Sequence, residues 1–190
     1  MRLYYKGAQG SGGPGQAVHK IFSAISSDGL TFQKEGVRID SQTTGDNGWA
    51  SVPEAVKLAN GKIRIYYVSG DFAAQGGIMS AISSDGLNFT KEAGARAAGM
   101  VDPAVVLLPD NSFLLFAASI NSQMPPYLPT GIYLLASPDG LVFGGRQVVL
   151  QDSNVFDPSV AQLDANTLRV YYGSVTPGIA PAVKSLTGVK

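Results

Sequence analysis

SSDGLTF at 26–32 returns as SSDGLNF at 83–89 and as SPDGLVF at 137–143, so the copies stand 57 and 54 residues apart. Each is an Asp-Gly turn with a Phe three residues on, entering what reads as a strand. Working outward, a second motif precedes the later two copies: VPEAVKLANGKIRIYY at 52–67 and DPAVVLLPDNSFLLFA at 102–117. It appears again as DPSVAQLDANTLRVYY at 157–172, and aligning Pro53, Pro103 and Pro158 gives steps of 50 and 55 residues. The opening MRLYY matches the ends of these segments, IRIYY and LRVYY, so residue 1 falls partway through a repeat. Periods of this length, built from self-similar short strands, indicate blades or solenoid units.

Each repeat divides into four short strands. An inner strand such as Ala104 to Leu108 leads through a turn (Asp110-Asn111, Asn60-Gly61, Ala165-Asn166) into a second strand rich in Tyr, Ile, Leu and Phe. Such turn residues between apolar runs are hairpin signals. A third strand covers Ile21 to Ser26, Ile78 to Ser83 and Ile132 to Ser137, and the Asp-Gly turn delivers a fourth such as Phe143 to Leu150. No window of comparable length carries a 3.6-residue apolar period, so helices are expected to be minor. A four-stranded repeat of about 50 residues reads as an all-β fold, a β-propeller of antiparallel blades.

The expected organisation is one domain over 1–190, with blades at about 1–40 (no inner strand), 51–98, 101–150 and 156–190 (no outermost strand). That is three and a half blades, where four is the usual minimum for closure. Three arrangements are open: a piece of a larger propeller, a compact propeller with incomplete blades, or a protomer completed by a second copy in a homo-oligomer.

Composition narrows the chemistry. Fourteen Lys+Arg balance fourteen Asp+Glu, which argues against nucleic acid as a partner. With 45% hydrophobic and 15% charged residues, the chain can bury a core. Zero Cys excludes disulfides, zinc-thiolate sites and thiol nucleophiles. The start Met1-Arg2-Leu3-Tyr4-Tyr5-Lys6-Gly7 turns polar at once, unlike a secretory signal. Its longest apolar runs are far short of the roughly 20 residues of a membrane helix, so no membrane partner is expected. As written the chain reads as cytoplasmic; an extracellular location stays open if the N-terminus is truncated.

These repeats resemble a known group. The S-x-D-G-x-x-F turn is similar to the Asp-box turn of sialidases, lacking one residue between Asp and Gly. A D-P-x-V inner strand, an x-R-x-Y-Y second strand and that turn, in alternation, resemble the five-bladed propellers of glycoside hydrolases: arabinanases, β-xylosidases and the invertase-levansucrase group. WASVPEAVKLANGKIRIYY at 49–67 is similar to the Trp-Ala-Pro-acidic inner strand of arabinanase-like enzymes, with two extra residues before the Pro. The resemblance implies a carbohydrate-active or carbohydrate-binding propeller with an oligosaccharide or glycan partner, and it leaves turnover open.

In a propeller, loops joining the fourth strand to the next inner strand share a face with loops joining strands two and three. Here these loops collect Asp46, Asn47, Trp49, Asp71, Phe72, Asn121, Gln123, Tyr127, Asp152 and Asn154, with His19 beginning a third strand on the same side. Aromatic rings beside amides and carboxylates suit sugars. Asp102 and Asp157 share one position in the Pro alignment, which Val52 fills in the earlier blade. Glu54 lies two residues beyond Val52, and period-two alternation puts it on the same strand face.

Glu54, Asp102 and Asp157 are thus expected to converge as catalytic carboxylates, one protonated and one ionised as glycoside hydrolysis requires. The resemblance implies the same, because in those enzymes the general base, an orienting Asp and the general acid occupy inner strands of separate blades. A structural reading competes: Asp-Pro opens an inner strand because Asp accepts backbone N–H bonds and Pro ends the preceding loop. Arg2, Arg64 and Arg169 recur at one strand position and read as blade-face residues. A single His argues against a His triad or zinc site. No cofactor is expected; Asp40, Asp46 and Asn47 offer oxygens to calcium, but their spacing fits no calcium loop.

Overall fold

The computed structural model describes residues 1–10, 17–70, 77–120 and 127–189. They form fifteen strands and no helix, in two compact units, Met1–Ala95 and Arg96–Lys190. Asp71, Phe72, Asn121 and Gln123, named above, lie outside the described residues.

The first unit holds two antiparallel meanders. In one, β1 (Arg2–Gln9), β2 (Val18–Ile25) and β3 (Gln33–Asp40) pair in chain order. In the other, β4 (Ala50–Lys57), β5 (Ile63–Ser69), β6 (Gly77–Ser83) and a short β7 (Thr90–Lys91) do the same. Ile21, Ile39, Ala50, Ile65, Tyr67 and Ala81 form the unit's core, with Tyr4, Ile63, Met79 and Phe89 packed at its margin.

The second unit begins with a two-residue β8 (Ala97–Ala98). A four-stranded meander follows: β9 (Val101–Leu107), β10 (Phe113–Ser119), β11 (Gly131–Ser137) and β12 (Gly144–Leu150). The last meander has three strands, β13 (Val155–Gln162), β14 (Thr167–Ser174) and β15 (Ala182–Val189). Ala104, Val106, Phe116, Leu168 and Val170 form the core between them. Every sheet therefore has the up-and-down form of a propeller blade.

The repeated turn has one construction. Asp28 Oδ1 accepts the amides of Leu30 and Thr31, both at 2.9 Å, while Ser26 Oγ accepts that of Gly29 at 2.8 Å. The same bonds recur around Asp85 and Asp139. Amide donation to its oxygen holds the Asp28 carboxyl down at about 2, and Asp85 and Asp139 are lowered for the same reason. These three carboxylates are turn residues, as their spacing implied.

The turn also joins blade to blade. Arg2 Nη1 donates to Asp85 O at 3.2 Å, Tyr4 OH to Gly86 O at 2.8 Å and Arg38 Nη1 to Leu87 O at 3.0 Å. A Cβ on Gly86 would stand 2.6 Å from that Arg2 nitrogen, and its φ of +72° is left-handed, so a side chain there would be strained and would displace the Arg2 contact. In the second unit Arg96 Nη1 reaches Leu141 O at 2.9 Å in the same manner. The turn phenylalanines are half-buried rather than central; Phe89 meets Tyr4 edge-on with centroids 5.6 Å apart.

Each inner strand carries a bulge at the aligned position. Val52, Asp102 and Asp157 have φ of 49°, 55° and 49°, and the β4–β5 and β13–β14 pairings shift register there. The β9–β10 pairing shifts opposite Asp102 as well. Asp tolerates the left-handed region, whereas a β-branched Val there is strained by about 1–2 kcal/mol. Val52→Asn should therefore stabilise the protein by about 1 kcal/mol in urea unfolding; a loss of stability would contradict strain at this position.

Candidate functional site

In the first unit, two of the expected binding residues meet. The His19 and Trp49 rings stack with centroids 3.8 Å apart at an interplanar angle of 28°. The backbone sets the stack, because His19 N–H donates to Gly48 O at 2.8 Å, bridging β2 to the loop before β4 in parallel. Gly70 makes room beside it: its amide donates to Trp49 O at 2.9 Å, and a Cβ there would lie 2.3 Å from Trp49 Cβ.

Both rings are partly buried, and His19 Nδ1 meets no hydrogen-bond partner among the described residues. Burial, and then the charge of Lys6, lower the imidazole's pKa, so it is neutral at pH 7. Asn47, exposed with φ 48°, stands two residues before Trp49.

The loop is held from below by Asp46, which is fully buried. Its carboxylate accepts Lys91 Nζ at 2.5 Å, Tyr67 OH at 3.1 Å and the Thr44 hydroxyl. Asp40 takes Lys20 Nζ at 2.8 Å. The Asp40 and Asp46 carboxylates are thus each engaged by a lysine, and no three His, Cys, Asp or Glu residues gather as a metal site among the described residues.

Glu54 is partly buried on β4, opposite Tyr66 of β5. The bulge between Ser51 and Glu54 interrupts the period-two alternation that put Glu54 on the face of Val52. That inference from alternation therefore does not carry across the bulge.

In the second unit, β9 and β13 bring Asp102 and Asp157 together. The Asp157 amide donates to Asp102 Oδ2 at 3.3 Å. Burial raises the Asp102 carboxyl to about 6; the neighbouring Asp157 charge adds to this, and the amide bond opposes it. Asp102 is partly buried and Asp157 exposed, so one carboxyl is sheltered while the other meets water. Asn154 is tied into its loop, donating its amide to Asp152 Oδ1 at 2.9 Å and accepting from Val175 N–H at 3.0 Å. Tyr127 is 68% exposed, with φ 57°.

No protein-family model matches the chain, and no curated protein matches it in sequence. Solved structures do match it in fold. A Dyadobacter fermentans protein of unknown function superposes with a TM-score of 0.69 at 21% identity, over 100% of this chain and 50% of that one. An α-L-arabinofuranosidase of Clostridium thermocellum gives 0.72 at 16% identity, over 98% and 65%. The chain shares its all-β propeller fold with solved glycoside hydrolases. An endo-1,4-β-xylanase of Bacteroides thetaiotaomicron gives 0.71 at 15% identity, over 98% and 64%. The chain thus spans between half and two thirds of the length of these structures.

Sequence reasoning found His19 and Trp49 separately and missed that they stack, because the contact depends on a parallel bridge between β2 and a loop 30 residues on. It also missed Lys91. The readable signal was F-x-K-E, at 32–35 and again at 89–92, after the first two Asp-Gly turns.

Proposed function

We propose that this chain belongs to a carbohydrate-directed propeller that hydrolyses a neutral glycan. The observation that carries the reading is Asp102, a sheltered carboxyl raised to about 6 beside the solvent-facing Asp157. Glycoside hydrolysis sets one carboxylic acid against one carboxylate, and pushing their environments apart separates the roles. Asp102 serves as the proton-carrying group and Asp157 as its solvent-facing partner. Glu54 is a third candidate from the first unit. His19, Trp49 and Asn47 offer a sugar-binding surface, where an aromatic face takes the apolar side of a pyranose or furanose ring. The fold shared with an arabinofuranosidase and a xylanase supports the substrate class.

A second reading is binding without turnover. It is favoured by the left-handed φ at Asp102 and Asp157, a backbone duty Asp performs without any chemistry.

Trp49 is the only tryptophan, so its fluorescence reports ligand at the His19 stack directly. Arabino-, xylo-, manno- and fructo-oligosaccharides should be titrated against it, with released reducing ends measured in parallel. A saturable fluorescence change, and turnover that Asp102→Asn lowers by about 10²–10⁴, are expected. A fluorescence change without turnover selects the binding reading. Neither signal with any of the four sugars would remove both.

A further inference from the structure

Five times the chain sets an Asp or Asn directly before a glycine: Asp28-Gly29, Asn47-Gly48, Asn60-Gly61, Asp85-Gly86 and Asp139-Gly140. Such a pair can react with itself. Glycine has no Cβ to shield its amide nitrogen, which can attack the side-chain carbonyl carbon of the residue before it. A fold opposes the attack with a hydrogen bond that occupies the glycine N–H, and with another that pins the side-chain oxygen.

Four of the five pairs have both. In the Asp-Gly turns the glycine amide donates to a serine hydroxyl, Gly29 to Ser26 at 2.8 Å, and Gly86 to Ser83 and Gly140 to Ser137 at 2.9 Å. The Oδ1 atom of each Asp accepts two backbone amides. In the β4–β5 hairpin Gly61 N–H donates to Leu58 O at 2.9 Å, and Asn60 Oδ1 accepts the Lys62 amide at 3.1 Å.

The fifth pair has neither. Among the described residues no hydrogen bond reaches the Asn47 carboxamide or the Gly48 N–H. Asn47 is exposed, and a Cβ on Gly48 would meet nothing within 4 Å, so room remains around the peptide that joins them. The backbone explains why these two residues stand here: their φ of 48° and 77° are both left-handed, which Asn and Gly tolerate best.

We propose that Asn47 is a self-modification site, deamidating through Gly48 and thereby releasing Trp49 from the His19 ring. The Gly48 nitrogen bonds to Asn47 Cγ while the Cγ–Nδ2 bond breaks, and the proton lost by the Gly48 amide leaves with the ammonia. Water then opens the cyclic imide. Attack at Cγ gives aspartate; attack at the main-chain carbonyl gives isoaspartate, whose backbone is one carbon longer. The two bonds that hold the platform flank this point, Trp49 N–H to Asp46 O at 2.9 Å and His19 N–H to Gly48 O at 2.8 Å. A longer main chain between Asp46 and Gly48 spoils their geometry, and the ring stack opens with them.

The test holds the purified protein warm at mildly alkaline pH and maps its peptides for amide-to-acid conversion, with enzymatic methylation to mark isoaspartate. Asn47 should convert roughly tenfold faster than Asn60 or more, because Asn60-Gly61 must first give up two hydrogen bonds. In strong urea the two rates should come together, since unfolding removes that protection. Fluorescence of Trp49, the single tryptophan, should change in step with isoaspartate. Asn47→Gln closes its ring far more slowly and should show neither signal. Freshly prepared Asn47→Asp carries the new charge at normal backbone length and should keep the parent fluorescence. No conversion at Asn47 in the folded protein, or equal conversion at Asn60, would overturn the proposal. So would isoaspartate accumulating at unchanged fluorescence, or an Asn47→Asp protein that already shows the full change.

Discussion

At pH 7.5, Asp102→Asn should melt at a higher temperature than the parent protein while losing turnover. The stability half follows from the carboxyl's environment. Asp102 is raised from an ordinary 3.8 to about 6, so the folded state binds a proton that the unfolded state releases between those values. Stability conferred by the parent Asp therefore falls as pH climbs through that window, and the penalty is complete above it. A shift of this size is worth up to about 3 kcal/mol, and partial exposure of the group discounts it to about 1–2.

Asn removes the penalty without undoing the local structure. It tolerates the left-handed φ, and its carbonyl oxygen can accept the Asp157 amide. The expected gain is a rise of roughly 3–6 °C in Tm at pH 7.5, shrinking towards zero at pH 4. The activity half follows from the proposed role, because an amide delivers no proton to a leaving group, so kcat should fall by about 10²–10⁴. Both halves together are the signature of a group retained at a cost to folding. A higher Tm with unchanged activity would leave Asp102 a bulge residue; a lower Tm at pH 7.5 would refute the burial argument.

The parts of this protein that were legible in its sequence are those that repeat. SSDGL-x-F and the Pro-aligned strands marked the four meanders, because a turn and a register must be rebuilt in every blade by similar residues. The three-stranded sheets that begin and end the described chain fall where those repeats place them. What could not be read is what happens once. Alternation assumes an unbroken strand, and the bulge at Val52 breaks it just before Glu54. The His19–Trp49 stack depends on a single parallel bridge, which leaves no periodic trace. Asp46 was read as a loop acid with an oxygen to offer, yet its partners Tyr67 and Lys91 come from strands 21 and 45 residues away. Recurrence of Arg was visible, but its meaning lay in the F-x-K-E segment that returns beside it, whose Glu35 and Glu92 pair with Arg2 and Arg64.

That buried Asp46 carries the other large effect. Lys91→Met should cost about 3–5 kcal/mol in urea unfolding, because it removes the one cation seen at a fully buried carboxylate. Typical domains have only about 5–15 kcal/mol in all, so the variant is expected to be marginal. Two hydroxyl donors stay behind, from Tyr67 and Thr44, and they keep the group hydrogen-bonded without neutralising it. Tyr67 cannot yield its proton in compensation, since burial and the Asp46 charge both raise its pKa well above the ordinary range.

Asp46→Asn with Lys91→Met then becomes the informative double variant. Asn still accepts from the two hydroxyls, no charge remains to be desolvated, and the pair should recover at least half of the single-variant loss. The effect should reach the ligand platform as well. Asp46 fixes the loop through its amide to Ser41 O at 3.2 Å and its carbonyl to Trp49 N–H at 2.9 Å. Loosening that loop frees Trp49 from the His19 ring, so the Lys91→Met protein should show altered Trp49 fluorescence below its unfolding transition, and the double variant should restore it. A Lys91→Met cost under about 0.5 kcal/mol would mean that the two hydroxyls alone hold the carboxylate, and that the ion pair contributes only as an exposed one would.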